Sequence, residues 1–532
     1  MCCWQDNKGV LSYRNFRPGV NAFFVGRYLL ATLIQLICDE DSSMDKIERF
    51  NLTSFSGKMK ILHLSWIAFF LTFVVWFNHA PLLEAIAASL GLSKAEVKTL
   101  LILNVALTIP ARVIIGMLTD KYGPRLSYAL LLAVSSIPCF MFALADNFAQ
   151  AALGRFLLGF IGAGFVIGIR MVSEWFPAHE LGTAEGIYGG WGNFGSAAAA
   201  MVLPTLALLF GGADGWRYAI GISGALCLLF SVVWYLNVTD TPKGSTYFRP
   251  KQIAAMEVTS VGDLYLLLIM KLPMYAALAL LTWKLSPQGV SLLSELAAVI
   301  IYVLLVAIYL FDAWKVWQVN GHLFKAPVPE LHRYKFRQVA VLNVLYFATF
   351  GSELAVVSML PLFFSETFGL DPVKAGLVAS AYAFMNLMSR PGGGWLSDRF
   401  GRKITLLVLT LGLALGYFLM AMINSSWPLV VAVIAAMACS FFVQAGEGAV
   451  FAVVPLIKRR LTGQIAGMTG AYGNVGSVFY LTILSVTSYQ VFFSVIAATA
   501  LLGFAVLLLM EEPRGEIAEV GEDGSVQLIR VS

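Results

Sequence analysis

The chain has 532 residues, of which 59% are hydrophobic and 13% are charged, and its mean hydropathy is +0.78. This composition is far from that of soluble globular domains and is typical of a polytopic membrane protein. The formal net charge of +5 matters less than the positions of the 36 lysines and arginines, and we expect no nucleic-acid partner. The six cysteines show no metal or disulfide spacing, so we expect neither a metal nor a cofactor.

The N-terminal region, residues 1–60, is polar and basic apart from the run from Val20 to Cys38, which Arg27 interrupts. We expect this run to form an interfacial helix at most. The sequence MDKIERF, which begins at Met44, leads directly into the first strong apolar run. A translation start at Met44 is therefore an alternative to the full sequence.

Apolar runs long enough to cross a bilayer recur in two sets of six. The first set lies at about residues 61–81, 97–119, 126–146, 149–171, 183–210 and 217–237. The second set lies at about residues 338–364, 373–396, 404–423, 428–456, 463–488 and 490–510. Two further runs, at about residues 264–283 and 290–311, separate the two sets.

These runs predict an all-α membrane protein with two six-helix bundles and an extra hydrophobic hairpin between them. The predicted parts are a cytoplasmic N-terminal region (1–60), the first bundle (61–239), a linker with the hairpin (240–336), the second bundle (337–511) and a cytoplasmic tail (512–532). Lysines and arginines gather in alternate loops, which predicts that both termini lie on the cytoplasmic side of the plasma membrane. The hairpin must then cross the membrane twice or not at all, since otherwise the second bundle would be inverted.

The two bundles share two sequence motifs. LGTAEGIYGGWGNFGS at 181–196 and TGQIAGMTGAYGNVGS at 462–477 agree at seven positions, 281 residues apart. The pattern R-x7-D-x2-G-x-R begins at Arg112 and recurs from Arg390, with Lys403 in place of the last arginine. We infer that the two bundles are internal repeats of one structural unit.

The first motif contains Gly190, Gly192 and Gly195 in the order G-x-G-x-x-G. A dinucleotide-binding loop needs a preceding strand and a helix that begins at the glycines, whereas these glycines lie inside one apolar run. The repeated glycines instead predict a smooth helix face against which another backbone packs closely. Asn193 and Asn474 need a further explanation, because amides in a membrane interior require polar partners.

The duplicated six-helix design resembles the major facilitator superfamily, which holds its substrate at the midplane between two halves. The loops DKYGPR and DRFGRK are similar to the superfamily's motif between the second and third helices and to its repeat between the eighth and ninth. This resemblance implies a cytoplasmic gate that includes Asp120, Arg125, Asp398 and Arg402, in which an aspartate bridges basic residues or a helix end. A plain surface salt bridge is the alternative.

The stretches GGWGNFGS and GAYGNVGS resemble the paired signature of the nitrate/nitrite porter family within that superfamily. In that family two intramembrane arginines clamp the anion. The segment YFATF at 346–350 is also similar to the family's seventh-helix segment. The substrate-binding residues that the resemblance implies are Arg112, Arg390, Asn193, Asn474, Tyr346, Phe350 and Phe165.

Two arginines in the middle of spans suit a small planar anion, because a guanidinium is a planar fork that can bond two oxygens in parallel. Aromatic walls would exclude water and strengthen those bonds, although aromatic residues at helical spacing usually serve core packing. The residues eight and four positions before the two arginines are polar, which places each arginine at the end of a polar stripe: Asn104, Thr108, Tyr382 and Asn386.

Uphill uptake of an anion into a cell that is negative inside needs a coupled ion, because it costs about 2.3 kcal/mol for each 100 mV. Glu447 and Glu353 are candidate proton carriers, and pairing with an arginine is the alternative role; Glu174, Glu185 and His79 are further candidates. Arg155 and Arg170 lie in or near the fourth span, where snorkelling to the membrane surface explains them as well as a function does, and we expect Lys271 to snorkel.

The sequence therefore predicts a transporter, not an enzyme, that moves nitrate, nitrite or both by alternating access. We expect proton-coupled uptake by a monomer in the lipid bilayer. Three alternatives stay open: exchange of nitrate for nitrite, transport of another small monoanion such as a carboxylate, and a membrane sensor that binds nitrate.

Overall fold

The structure is a computed structural model that describes residues 50–530 apart from 94–95, 97–99, 101–102, 106, 212–213, 250–254, 289–290, 292, 326–327, 330–332, 371, 485–486, 514 and 521–525. The described residues from Ser54 onward form one compact unit. The expected interfacial helix from Val20 to Cys38 and the alternative start at Met44 lie outside the described residues.

The first predicted set of spans is helical. A helix is the favoured structure for such apolar segments in lipid, because it satisfies its own backbone groups. The helices are α1 (Gly57–Phe77), a short α2 (Leu83–Leu90), α3 (Thr108–Tyr122), α4 (Pro124–Ala143), α5 (Phe148–Leu158), α6 (Gly164–Trp175), α7 (Ala178–Phe210) and α8 (Gly215–Asn237). The fourth predicted span is divided between α5 and α6 by a 3-10 segment, Gly159–Ala163. A break of this kind exposes backbone carbonyl groups to side chains of neighbouring helices.

The second predicted set is also helical. Its helices are α11 (Phe336–Phe368), α12 (Pro372–Phe384), α13 (Asn386–Phe400), α14 (Arg402–Met422), α15 (Leu429–Phe451), α16 (Thr462–Leu484) and α17 (Tyr489–Leu507). Gly123 after α3 and Gly401 after α13 both adopt positive φ angles, of 88° and 97°. Only glycine takes this conformation without strain, so the repeated glycine lets each helix turn sharply into the next.

The C-terminal tail departs from the all-α prediction. It contains an antiparallel pair of strands, β1 (Glu516–Val520) and β2 (Val526–Arg530), in which Glu516 lies opposite Arg530. Both strands contain valine and isoleucine, which favour extended backbone. The helical prediction holds for the membrane part of the chain, and the strand pair is an addition to it.

The two central apolar runs form long helices, α9 (Val261–Leu285) and α10 (Glu295–Asn320). Lys271 of α9 donates to Asp312 of α10 at 2.7 Å, and the Tyr275 hydroxyl donates to the same carboxylate. Lys271 is therefore buried in an ion pair within the hairpin, and the expectation that it snorkels to the surface is wrong.

Eleven helical segments in the described part of the chain are long and apolar enough to cross a membrane. The predicted spans at 183–210, 373–396 and 463–488 are helical but lie outside that set. Each of them contains a polar residue of the predicted site. Such helices are stable in lipid only when they pack against other helices that cover their polar groups.

Two glycine-lined seams join the two sets of helices. Along one seam α7 packs on α13, and a side chain added at Gly186 would lie 2.6 Å from the carbonyl oxygen of Arg390. Along the other α16 packs on α3, and a side chain added at Gly467 would overlap the carbonyl oxygen of Arg112. The repeated glycines therefore bring the backbones of the two sets into contact beside the two arginines, as the smooth helix face predicts.

The ion pair of the hairpin gives a testable expectation for stability. Asp312→Leu leaves the Lys271 charge without its carboxylate, and we expect it to lower the free energy of unfolding by on the order of 2 kcal/mol. The double variant Lys271→Met/Asp312→Leu removes both charges and should recover most of that loss. Thermal unfolding in detergent measures both effects. A double variant that is less stable than Asp312→Leu would contradict this account.

Candidate functional site

Arg112 in α3 is fully buried, and its guanidinium bonds to backbone carbonyl groups from two neighbouring helical elements. Nε donates to Gly162 O in the 3-10 segment at 3.2 Å, and Nη1 donates to Gly470 O in α16 at 2.7 Å. Nη2 has no hydrogen-bond partner among the described residues. Both bonded partners are uncharged, so the positive charge of Arg112 is not paired with a carboxylate in the described part of the chain.

Arg390 in α13 is also buried, but its charge is paired. Nη1 donates to Glu447 Oε2 at 2.6 Å, and Nη2 donates to the Tyr346 hydroxyl at 3.0 Å. The two repeated arginines therefore differ in one respect. A carboxylate compensates Arg390, whereas the hydrogen bonds of Arg112 go only to carbonyl groups among the described residues.

The two guanidinium groups converge on the same two aromatic rings. Arg112 Cζ lies 5.8 Å from the centre of the Phe165 ring and 5.0 Å from that of Phe350. For Arg390 Cζ the corresponding distances are 5.1 and 6.0 Å. Cations at this range are attracted to the faces of the rings. The structure thus brings together four of the residues that the resemblance implied, from both halves of the repeat.

Tyr346 completes a stack of rings around this point. Its ring is nearly parallel to those of Phe165, at 6.4 Å and 7°, and Phe350, at 5.1 Å and 13°. Phe451 packs edge-on against Phe165 at 4.5 Å and against Tyr346 at 4.8 Å. Sequence analysis missed Phe451, although its position four residues after Glu447 places both on one helix face.

Two buried carboxyl groups lie next to Arg390. Glu353 Oε1 accepts a hydrogen bond from Asn386 Nδ2 at 2.5 Å, and Glu447 Oε2 accepts the bond from Arg390. The other oxygens, Glu353 Oε2 and Glu447 Oε1, have no partner among the described residues, and the two carboxyl groups are neighbours. Among the residues that the structure describes, no group of three His, Cys, Asp or Glu side chains could hold a metal ion.

The two repeated asparagines lie on the glycine-rich helices α7 and α16. Asn474 Nδ2 donates weakly, at 3.4 Å, to Gly470 O, the same carbonyl oxygen that Arg112 binds. The side-chain oxygens of Asn193 and Asn474 are buried and have no partner within the described ranges. Their amides therefore have hydrogen-bonding capacity that the surrounding protein leaves unused.

Asp120 connects the two halves at one end of the α3–α16 seam. Its oxygens accept the backbone N–H groups of Gly463 at 2.8 Å and Gln464 at 2.7 Å, at the start of α16. Arg170 Nε lies 3.6 Å from Asp120 Oδ1. A carboxylate at a helix N-terminus is stabilised by the unpaired N–H groups and by the helix dipole.

Asp398 makes the matching contact at the end of the α7–α13 seam. It accepts the backbone N–H groups of Gly182 at 3.0 Å and Thr183 at 2.7 Å, near the start of α7. Arg402 pairs with Asp398 at 2.7 Å and also donates to Ala178 O at 2.6 Å. At the same end of both seams, an aspartate from one half accepts backbone N–H groups from a helix of the other half.

Arg125 is placed differently from the other predicted gate residues. Its Nε donates to Tyr235 O at 2.9 Å, and its backbone N–H donates to Asp240 at 2.7 Å. Burial raises the pKa of Asp240, which lies after the end of α8, and the Arg125 contacts oppose that rise. Arg125 thus joins α4 to the end of α8, within the first set of helices.

Two further buried arginines correct the expectation of snorkelling. Arg155 donates to Asn78 at 3.0 Å and to Asn104 at 2.7 Å, while Arg170 pairs with Glu174 at 2.9 Å. Neither guanidinium is exposed. Arg155 is held by amides of the first set of helices, whereas Arg170 also donates to the Tyr247 hydroxyl and to Phe248 O in the linker after α8.

Comparisons with known proteins agree with this architecture. The family model of the Major Facilitator Superfamily matches residues 65–318 and 342–530. The nitrate/nitrite transporter NrtP of Picosynechococcus is 49% identical over 514 residues, covering 88% of this chain and 96% of the relative, and that of Nostoc punctiforme is 46% identical with the same coverage. The nitrite extrusion protein of Bacillus subtilis is 24% identical, covering 82% of this chain and 91% of the relative. The human organic anion transporter MFSD10 has a TM-score of 0.57 at 13% identity, covering 85% of this chain and 100% of that structure, and shows the fold alone.

The fold and these matches define a multi-pass membrane transporter of the major facilitator superfamily. Within that superfamily the chain belongs to the nitrate/nitrite porter family, and its relatives from Picosynechococcus, Nostoc and Bacillus are named for transport or extrusion.

The glycine seam beside Arg112 generates a prediction for transport. In Gly467→Ala the added methyl overlaps the backbone oxygen of Arg112, which cannot rotate away, so α3 and α16 should no longer reach this closed contact. We expect the initial rate of substrate uptake into proteoliposomes to fall by about 100-fold, because misplacement of about 1 Å has an effect of this size at functional sites.

The matched control is Gly392→Ala, since an added side chain at Gly392 meets nothing within 4 Å. This variant should transport at the parental rate. Equal rates in Gly467→Ala and Gly392→Ala would show that the close approach of the backbones is dispensable.

Proposed function

We propose that this protein carries nitrate and nitrite across the membrane by alternating access, with the anion held between Arg112 and Arg390. The observation that carries the proposal is the convergence of both guanidinium groups on Phe165 and Phe350, while Arg112 has neither a carboxylate partner nor a partner for Nη2 among the described residues. The names of the relatives from Picosynechococcus and Nostoc support nitrate and nitrite as the substrates.

The charge of the site favours a monoanion. When Glu353 and Glu447 share one proton, the two carboxyl groups and the two arginines carry a net charge of one positive unit, which one bound monoanion neutralises. A flat anion lying along the stacked rings presents oxygens at its edges, and Arg112 Nη2, which bonds to none of the described residues, is a donor for one of them. The amides of Asn193 and Asn474 are further donors for the same ligand, since an amide presents its NH2 group when it turns over.

Proton coupling follows because Glu447 and the anion compete for the guanidinium of Arg390. Glu447 occupies Nη1, one of the two donors that a bidentate anion needs. Protonation of Glu447 removes its negative charge and releases Arg390 to bind the anion. A proton and an anion therefore bind together, and their joint entry is electroneutral with one proton.

Glu353 extends this proton site. Its second oxygen and that of Glu447, both without a partner in the described ranges, belong to neighbouring carboxyl groups, and a single proton placed between them would satisfy both. We propose that the two groups share the coupled proton while Arg390 holds the anion. The side that carries Asp120 and Asp398 is the cytoplasmic side in this scheme, and the transporter works as a monomer in the lipid bilayer.

The second candidate function is the exchange of nitrate for nitrite. The name of the Bacillus subtilis relative, a nitrite extrusion protein, favours outward movement of nitrite. Uptake of labelled nitrate into proteoliposomes, with and without an imposed pH gradient and with and without internal nitrite, tests both functions. Proton symport requires stimulation by the pH gradient with no internal anion. Exchange requires internal nitrite and no pH gradient.

Arg112→Lys and Arg390→Lys test the anion site. A lysine keeps the charge but loses the planar fork, so we expect each variant to lose at least about 100-fold in uptake while still inserting into the membrane. The control is Arg125→Lys, because Arg125 lies away from the rings and bonds to Tyr235 and Asp240. Uptake near the parental rate in either site variant would contradict the proposal.

Glu447→Gln tests the competition for Arg390. The neutral amide cannot compete as a carboxylate does, so nitrate affinity should lose its dependence on pH and exceed the parental affinity at alkaline pH by about tenfold. In the parental protein affinity should fall as the pH rises, because the ionised carboxylate reoccupies Arg390. Titration calorimetry at several pH values measures both. A parental affinity that does not change with pH would contradict the coupling scheme.

A further inference from the structure

Glu185 is a buried carboxyl group at the seam between the two sets of helices. It lies in α7, is 1% exposed, and neither of its oxygens has a hydrogen-bond partner among the described residues. Gly182 and Gly189 lie three positions before and four positions after it, on the same helix face. Side chains added at these glycines would meet Asp398 and the Arg390 guanidinium, respectively. Glu185 therefore lies between the gate aspartate and the anion site.

The charged groups that act on Glu185 are Asp398 and Arg402. They are paired with each other at 2.7 Å, and Arg402 also binds Ala178 O. Arg390, toward the anion site, is committed to Glu447 and Tyr346. No cation in the described part of the seam is therefore left to compensate an ionised Glu185.

Charged and titratable side chains on α1 and α6, which also pack against α7, have partners of their own. Those on α1 and α6 form pairs or hydrogen bonds elsewhere: Lys58 with Glu180, Lys60 with Asn237, His63 with Trp66, and Arg170 with Glu174. An ionised carboxylate without any partner is very costly in such a place. The closed seam therefore accommodates Glu185 as the neutral acid.

The repeat shows that packing alone does not require an acid at this position. The residue 281 positions later, which occupies the same place in the second copy of the motif, is Ala466. Ala466 is fully buried in the α3–α16 seam. The same glycine-lined contact thus forms with a methyl group, and the carboxyl of Glu185 has a role that the second copy lacks.

We propose that Glu185 is a proton-binding site of the α7–α13 seam, which holds a proton while the seam is closed and releases it when the seam opens. Separation of α7 from α13 admits water from the side of Asp398, and the hydrated carboxyl loses its proton to that water. Before the seam closes again, Glu185 takes up the proton that Glu447 gives up when the anion leaves, so that one proton enters for each anion. This inference rests on the proposed proton coupling. It adds a second proton-binding group between Glu447 and the side of the membrane that is predicted to be cytoplasmic.

Glu185→Gln tests the proposal in proteoliposomes, because glutamine resembles the protonated acid in shape and cannot release a proton. We expect exchange of labelled nitrate between equal concentrations to stay within about twofold of the parental rate. Nitrate accumulation driven by a pH gradient, and proton entry reported by a trapped dye, should both fall by at least about tenfold. The pH dependence of nitrate affinity should be unchanged, since that property belongs to Glu447.

Two companion variants control the experiment. Glu185→Ala introduces the residue of the second copy and should behave as Glu185→Gln does. Glu180→Gln changes an acid of the same helix that is paired with Lys58, and it should keep both exchange and accumulation. Parental accumulation in either Glu185 variant would overturn the proposal.

An infrared measurement tests the neutral acid independently of transport. The parental protein at neutral pH should show a carboxylic acid carbonyl band that is absent from Glu185→Gln, and a carboxylate band in its place would overturn the proposal. If the parental protein exchanges nitrate but shows no proton entry, proton coupling fails and Glu185 has no coupled proton to carry. If it does not exchange nitrate at all, the proposed substrate is wrong, and the infrared result still decides the state of Glu185.

Discussion

An unpaired positive charge in the membrane interior is the constraint on which the rest of the structure depends. A central arginine costs at least about 2.5 to 3.5 kcal/mol to insert, and Arg112 meets this cost without a carboxylate from the described part of the chain. Its bonds go to Gly162 O and Gly470 O. The first of these carbonyl groups is in the 3-10 segment that interrupts the fourth span, and the second is on a glycine-rich helix from the other half. The break in one helix and the glycines of another thus serve the same guanidinium.

The glycines have a second consequence, because they set how the two halves meet. Side chains at Gly463 and Gly182 would collide with two carboxylates, at 2.6 Å from Asp120 and 2.7 Å from Asp398. Each aspartate reaches the backbone of the opposite half only because a glycine stands there. The same row of small residues therefore permits the aspartate contact at one end and the approach to an arginine further along.

Much of this architecture can be predicted from the sequence, because it depends on patterns that occur twice in the chain. The apolar runs predict the helices. The repeat shows that Arg112 is equivalent to Arg390, and Asp120 to Asp398. The break at Gly159–Ala163 is not predictable in this way, since glycines inside an apolar run are equally compatible with a continuous helix. The sequence did not predict the strand pair of the tail, because segments this short show only a weak alternation of apolar and polar residues.

Other parts of the site depend on contacts between distant segments, which one sequence does not reveal. The sequence left Arg155 open between snorkelling and a function and favoured snorkelling for Lys271, because the outcome depends on which partners face each side chain. Asn104 binds the first and Asp312 the second, 51 and 41 residues away in the chain. Phe451 could have been noticed because it lies four residues after Glu447. However, residues four positions apart occur throughout any packed helix, so this spacing does not single it out.

The differences between the two halves bear more directly on function than their similarities do. Both aspartates accept backbone N–H groups of the opposite half and both arginines approach the same rings, so in the proposed mechanism the shared features close the protein and form the anion site. Glu447 and Glu185 have no such counterparts: carbonyl groups bind Arg112 where a carboxylate binds Arg390, and Ala466 stands where Glu185 does. A symmetric pair of halves can bind an anion and rock around it, but it has no means of requiring a proton. In the proposed mechanism, the acids that break the symmetry therefore impose the coupling, and they lie along the α7–α13 side of the molecule.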